Sequence, residues 1–393
     1  MLLKLLHAAF VAGLRFERRF DPFFRRHVDA VLREPLTVLL QAAINAGRRN
    51  EDLRLAEERF SQDEEACVQA IVHDMGTYMN SQYRPGGYER AGNTKTHAIV
   101  CAEVSIRDDL LDHLRHGIFR EPRIYPAWVR FAGPGPDSPP DIDDVGVLSI
   151  GIKMMGVPGP KLLSDERYTQ DLLGITTPVF TTPDVSANAQ LQAAIVRGLP
   201  LFYFINLRRP HLLDALMQGL WSRTQCNPLA ERYWSCVPYL LGEGQAMQYS
   251  VRPRAVACRH IPRLPLRPPD NYLREAMVAT LNEQDVEFDI LLQLQTDAHR
   301  MPIENASVRW PERLSPPVPV ATLRIPCQQF DSPEQLTFAS RLSFNPWHCV
   351  PEHRPLGNQN RARRIVYQEL SRLRQDMNST PHEEPTGMER FDK

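Results

Sequence analysis

The sequence predicts an α+β protein built on an antiparallel β-barrel with added helices. Three observations carry this. The chain of 393 residues holds 34 prolines, which disfavour a long helical bundle and suit short strands and turns. Several segments alternate at period two, most clearly Val286–Gln295, where Val286, Phe288, Ile290, Leu292 and Leu294 face one way. No strand–helix alternation and no glycine-rich phosphate loop is present, which removes a Rossmann-type sheet.

Bulk composition narrows the function classes. With 46 basic and 47 acidic side chains the formal net charge is −1, so nothing draws the chain to nucleic acid. The seven cysteines are an odd number with no CxxC spacing, which leaves zinc ribbons and thioredoxin-type sites unsupported. Reduced, mostly buried thiols in a cytoplasmic protein are the expectation.

The chain opens on MLLKLLHAAFVAGL, apolar but broken by Lys4 and His7 and followed by RFERRF. It is too short to span a bilayer, and its charges fall on the wrong side for a signal peptide. An amphipathic helix docked on the body is the favoured reading; membrane-surface contact through residues 1–20 is the alternative. Leu32, Leu36, Leu39, Leu40 and Ile44 continue the helical spacing. A further helix begins near Ser61, with Glu64 completing a capping box. Residues 1–84 are thus expected to form a helical arm or packing layer without catalytic signature.

SQYRPGGYERAGNT is a turn-rich link to the first strong strand, Thr96–Ile106. A short helix is expected around DDLLDHLRHG, then strands at Trp128–Ala132 and within VGVLSIGIKMMGV. KLLSDERYTQDLLGITTPVF reads as a connection ending in a turn. Residues 186–220 read as mostly helical, though the apolar run Leu201–Leu207 cannot be typed by periodicity. Strands follow at Met247–Val251, Val286–Gln295 and Val320–Ile325, and helices at about 271–283, 333–342 and 360–376. The polar tail, residues 377–393, is expected to be disordered.

The last helix is preceded by a loop rich in Pro, Trp and His. Within the helix, Arg363, Tyr367 and Arg374 are spaced four and seven residues apart and share one face. Arginines flanking a tyrosine on one face suit a phenolate.

Six stretches occur in one order: KTHAIVCAEV, PAWVRFAG, GIKMMGVPG, TQDLLGITTPVF, YWSCVPY, and FNPWH with NRARRIVY. On these the chain resembles, over residues 85–376, the haem catalase superfamily, in particular its small catalase-like proteins of the allene oxide synthase type. The resemblance implies a closed eight-stranded antiparallel barrel wrapped by helices, with haem b against it. Tyr367 would be the proximal iron ligand, supported by Arg363, since catalases hold their haem iron through a tyrosine. His97 would be the distal acid–base group, where a buried structural histidine is the competing reading. Arg130 and Arg374 would bind the haem propionates, and Phe180 and Phe344 would pack near the ring. His348 and His353 lie in the proximal loop and read as structural.

The family pattern is broken at three places. Gly174-Ile175-Thr176-Thr177-Pro178 stands where catalases carry a distal asparagine, leaving Thr176 as a shorter substitute. Ala132 replaces a serine, and Thr94 replaces a propionate-binding arginine. Thr96, before His97, resembles a restraint that the allene oxide synthase branch places on the histidine. These departures favour slower peroxidase or weak catalase chemistry, or rearrangement of an organic or lipid hydroperoxide, over rapid hydrogen peroxide dismutation. A non-catalytic haem-binding or haem-free protein, serving as a partner- or membrane-associated module, is the other reading. Homo-oligomerisation stays open.

Overall fold

The computed structural model describes all residues except 1, 49, 51, 207–209, 255–263 and 392–393. Cys258, and Leu207 at the end of the untyped apolar run, fall outside the described residues. At its centre is a ring of antiparallel strands: β1 (Thr96–Ile106), β2 (Ile124–Ala132), β3 (Ser149–Met154), β4 (Gln170–Ile175), β5 (Tyr233–Trp234), β7 (Ala246–Pro253), β8 (Val286–Leu294) and β9 (Val318–Ile325). A two-residue strand, β6 (Tyr239–Leu240), pairs with β7 outside the ring. β1 pairs with both β2 and β9, and β5 closes the circle by pairing with β4 and β7. Full closure removes the exposed strand edges that an open sheet would present. Gly174 makes this closure possible: a Cβ there would come within 3.1 Å of the Trp234 carbonyl.

The barrel interior is the main core. Val100, Val129, Ile152, Phe288, Ile290 and Leu323 are fully buried in it. β8 shows why: Val286, Phe288 and Ile290 point inward while Glu287 and Asp289 are half-exposed. β4 lies inside the segment expected to be a connection. Its residues Gln170 to Gly174 are all buried, so polar and apolar positions do not alternate and the period-two signal is absent. The helix expected around Asp108–Gly117 is replaced by two single 3₁₀ turns, and Gly117 breaks the path with φ +52°.

Helices surround the barrel. α1 (Leu2–Arg18), α2 (Asp21–Val28) and α3 (Glu34–Ala46) run with little interruption, joined by a π-helical turn at Asp29–Arg33. α4 (Glu64–Gln82) packs against α5 (Val185–Val196) and α10 (Asn358–Asn378) around Val68, Ile71, Val185, Val366 and Leu370. α4 begins at Glu64 with Asp63 before it; Ser61 bonds the Asp63 side chain and makes no capping bond to the helix. α6 (Leu201–Phe204), α7 (Leu212–Trp221), α8 (Tyr272–Glu283) and α9 (Pro333–Arg341) complete the wrapping.

The segment after α10 lies along the barrel wall. Glu384 accepts the backbone N–H of Arg167, Glu389 accepts the Trp128 indole N–H at 2.9 Å, and Phe391 packs on Trp128. The polar composition of this tail predicts disorder instead. Its buried partners, Trp128 above all, come from strands distant in sequence.

Candidate functional site

One cavity of about 560 Å³ lies between the outer face of β3–β4 and the helices α4, α5 and α10. Six of the residues singled out from sequence line it: Arg130, Phe180, Phe344, Arg363, Tyr367 and Arg374. α10 delivers three of them because Arg363, Tyr367 and Arg374 share one helical face, while Ala362, Val366 and Leu370 bury the adjoining face against α4 and α5. Phe344 forms part of the opposite wall. A Cβ on Gly151 of β3 would approach its ring to 3.0 Å, so glycine is what lets that ring lie against the strand.

Tyr367 is gripped by one arginine. Nε and Nη2 of Arg363 both donate to its phenolic oxygen at 3.2 Å. Nη1 of Arg363 donates to Asn360 Oδ1 at 3.1 Å, which fixes the fork. Burial alone would lower the Arg363 pKa. The oxygens of Tyr367, Tyr239 and Tyr249 outweigh that and hold it raised.

At another part of the cavity three guanidinium groups converge: Arg90, Arg130 and Arg374. Their donors go to neutral groups. Arg90 donates to the carbonyls of Ala339 and Leu342, and Arg374 donates to the Leu342 carbonyl. Arg130 donates to the carbonyls of Asn93 and Thr94 and to Thr96 Oγ1. Among the described residues none of the three forms an ion pair. Burial, with Arg374 adding repulsion, pushes Arg130 down to about 9; burial pushes Arg374 down to about 10 and lowers Arg90 as well. Arg130 and Arg374 are buried and Arg90 partly so, and Glu89 attracts Arg90 and Arg130 without pairing with them; like charges held this close are costly unless an anionic ligand completes them.

The sequence does not single out Arg90. It stands in the turn-rich link, four residues before Thr94, and Thr94 Oγ1 donates to its carbonyl at 2.8 Å. The position where the family pattern puts an arginine is thus occupied by threonine, and an arginine one short turn earlier reaches the same cavity. The apolar wall residues Ile71 and Met75 of α4 and Leu191 and Ile195 of α5 are equally hard to find from sequence. Their four-residue spacing is visible, but helical spacing does not tell core from cavity.

The three remaining candidates do not line the cavity. His97 sits at an irregularity in the β1–β2 register between Thr96 and Ala98. Its side chain is 1% exposed and neither ring nitrogen has a hydrogen-bond partner. Nδ1 is 3.6 Å from Asp141 Oδ1, and Lys95 holds that same carboxylate at 2.6 Å. The ring lies beside Gly133, behind the strip Pro134–Gly135 that does line the cavity. Burial, then Lys95, Arg130 and Arg274, pushes the imidazole down to about 3, so it is neutral at neutral pH. Thr96 does not restrain it: the Thr96 hydroxyl is occupied by Nε and Nη2 of Arg130. Thr176 is likewise engaged elsewhere. Its Oγ1 accepts the buried Leu148 N–H at 2.9 Å, and the neighbour Ile175 takes the place in the cavity wall.

His348 and His353 also lie away from the cavity. His348 joins a buried cluster with Asp171 and Glu166, whose centre is the Lys153 ammonium, at 2.8 Å from Asp171. Burial would lower its pKa, but the surrounding carboxylates hold it raised at about 9. The cation for those acids is therefore lysine. His353 accepts the Ile118 N–H through Nε2 at 3.1 Å.

Together the closed barrel, the helix bearing Tyr367 and the cavity between them define a protein of the catalase fold. A fungal catalase matches with a TM-score of 0.57 at 16% identity over 84% of this chain, and a bacterial catalase at 0.55 and 14% over 88%. Catalase A from Saccharomyces cerevisiae matches at 0.59 and 14%, also over 88%. The chain spans 66–72% of the length of these three proteins. No protein-family model and no curated protein matches it.

Proposed function

We propose that the cavity holds haem b and that the protein is a haem-dependent enzyme acting on peroxides, with organic or lipid hydroperoxides as the preferred class. The observation that carries this is the cavity's polarity pattern. It pairs a tyrosine backed by a two-pronged arginine with a cluster of three guanidinium groups that form no ion pair among the described residues, and apolar walls lie between. Haem matches each part: an electrophilic iron for the phenolate, an apolar ring for Phe180 and Phe344, and two carboxylates for Arg90, Arg130 and Arg374. Its volume suits a ligand pocket of ordinary size.

In this reading Tyr367 would hold the iron, and Arg363 would fix the position of its oxygen through the two hydrogen bonds it donates. The arginine cluster orients the group by its propionates. When bound, haem supplies the redox chemistry that splits an O–O bond. His97 is the proposed acid–base group: its ring is neutral and its nitrogens have no competing partner, but it lies behind the strip Pro134–Gly135, so a proton would pass between it and peroxide in the cavity through an intervening water and not by direct contact. Thr96 and Thr176 have indirect parts: Thr96 positions Arg130, and Thr176 braces the turn that carries Ile175. Ile175, where a distal amide is absent, makes the wall apolar and favours an organic hydroperoxide over a small polar one. The allene oxide synthase type of rearrangement is consistent with that wall.

The placement of His97 behind Gly133 favours one second reading, a haem-binding protein that does not turn over peroxide. A comparison of fatty-acid hydroperoxide and hydrogen peroxide consumption by the haem-loaded protein and by His97→Ala separates the two. The enzyme reading expects a loss of about a hundredfold or more in the variant, as for removal of an acid–base group. Equal rates would leave the binding reading.

A further inference from the structure

α1 and α2 present apolar side chains that nothing among the described residues covers. Leu6, Phe10 and Leu14 recur along one face of α1 and are 54%, 49% and 44% exposed. Phe16, on another side of α1 and against Phe20, and Phe23 on α2 add further exposed apolar surface, at 64% and 57%. Large apolar side chains exposed together on one helix face, as Leu6, Phe10 and Leu14 are, mark an interaction surface. Exposed Lys4, Arg15 and Arg26 stand among these residues. Residues 1–33 hold seven Lys and Arg against three Asp and Glu, although the whole chain carries −1.

The strip is anchored at the rim of the cavity. Arg18 donates to the Val145 carbonyl, and Val145 both lines the cavity and is exposed to solvent. Arg25 donates to the carbonyls of Gly219 and Leu220 on α7, and Asp21 accepts the Thr224 N–H. α7 in turn shows Leu212 and Leu216 to solvent. The apolar surface therefore runs from α1 past the cavity opening.

We propose that α1 and α2 lie on an anionic lipid surface. The apolar face enters the boundary between headgroups and acyl chains, and Lys4, Arg15 and Arg26 meet the phosphates. No described helix is long and apolar enough to cross a membrane, so the contact is with the surface. Charge selects lipid over a second copy of this chain. A two-fold interface built on this face would set two net-positive segments against each other, whereas anionic lipid neutralises them. The cavity opening would then face the bilayer, where apolar molecules reside.

Vesicle flotation with the full chain tests this, using phosphatidylcholine alone and phosphatidylcholine mixed with phosphatidylglycerol. Binding should require the anionic lipid and weaken as salt rises. It should fall about tenfold or more in Phe10→Glu/Leu14→Glu and in Lys4→Glu/Arg15→Glu, in line with lost apolar insertion and lost charge attraction. These side chains are exposed, so unchanged melting of both variants is expected and is checked alongside. No binding, or equal binding to both vesicle types, would overturn the proposal. So would a dimer in sedimentation velocity that Phe10→Glu/Leu14→Glu dissociates, since the face would then belong to a second copy. The readout needs no haem, so it stands or fails apart from the proposed enzymatic function.

Discussion

Arg363 places two nitrogens, Nε and Nη2, each 3.2 Å from the phenolic oxygen of Tyr367. The pair lies one helical turn apart on α10 and faces the cavity. Removing the guanidinium leaves the half-buried phenolic oxygen without its two donors. Arg363→Leu should weaken haem binding by about tenfold or more, the size expected for a charge-assisted hydrogen bond. It should also shift the visible bands of the ferric protein. Haemin titration followed by absorbance checks both.

Arg90, Arg130 and Arg374 give the second expectation. If the three cations await carboxylates, their benefit exists only with ligand present. Arg90→Leu should reduce haem affinity by roughly ten- to a hundredfold, since a hydrogen bond to a charged group contributes about 1.5–3 kcal/mol. The haem-free protein should melt within a few degrees of the parent, because the relief of repulsion from Arg130 and Arg374 offsets the lost hydrogen bonds to the Ala339 and Leu342 carbonyls. Haem dimethyl ester, lacking the carboxylates, should bind both proteins alike. A selective loss for free haem identifies the clamp.

Thr176 separates a bracing role from a catalytic one. Thr176→Val removes the acceptor for the buried Leu148 N–H, and stability should drop by about 1–3 kcal/mol in denaturant melts. The visible spectrum of the haem-loaded variant should match the parent, since Thr176 does not line the cavity. A changed spectrum with unchanged stability would assign the hydroxyl to the site after all.

Stability should depend on pH through two buried histidines. Burial pushes His97 down to about 3 and His353 to about 4, while in the unfolded chain both titrate near 6.5. Below 6.5 the unfolded state binds more protons than the fold. Stability is therefore full above about pH 6.5 and declines as pH falls toward those folded values. The slope reaches roughly 1.4 kcal/mol per pH unit for each histidine. His348 adds nothing there, because its raised pKa leaves it protonated in both states; its contribution is lost above 6.5 as pH rises through about 9. Urea melts between pH 6.5 and 5, repeated on His353→Gln, should show a shallower slope in the variant.

The fold is legible in the sequence where burial is one-sided. β8 and α10 announce themselves because one face is polar and the other apolar, and β1 because of its run of β-branched residues. β4 does not, since both its faces are buried. On the site, the shared face of Arg363, Tyr367 and Arg374 can be read from spacing because all three lie on one helix. Arg90 cannot, because its role depends on how a turn-rich link folds back onto Arg130 and Arg374. The same holds for Thr96 and Thr176. A hydroxyl beside a motif looks chemical in sequence, but here nearby donors, the Arg130 guanidinium and the Leu148 amide, claim both.

Haemin titration of the purified protein and of Tyr367→Phe, read in the visible region, bears most directly on the central claim. One haem per chain should bind the parent with a spectrum of tyrosinate-ligated ferric iron, and Tyr367→Phe should lose the haem or change that spectrum. A parent that takes up no haemin, or a variant with an identical spectrum, would contradict it.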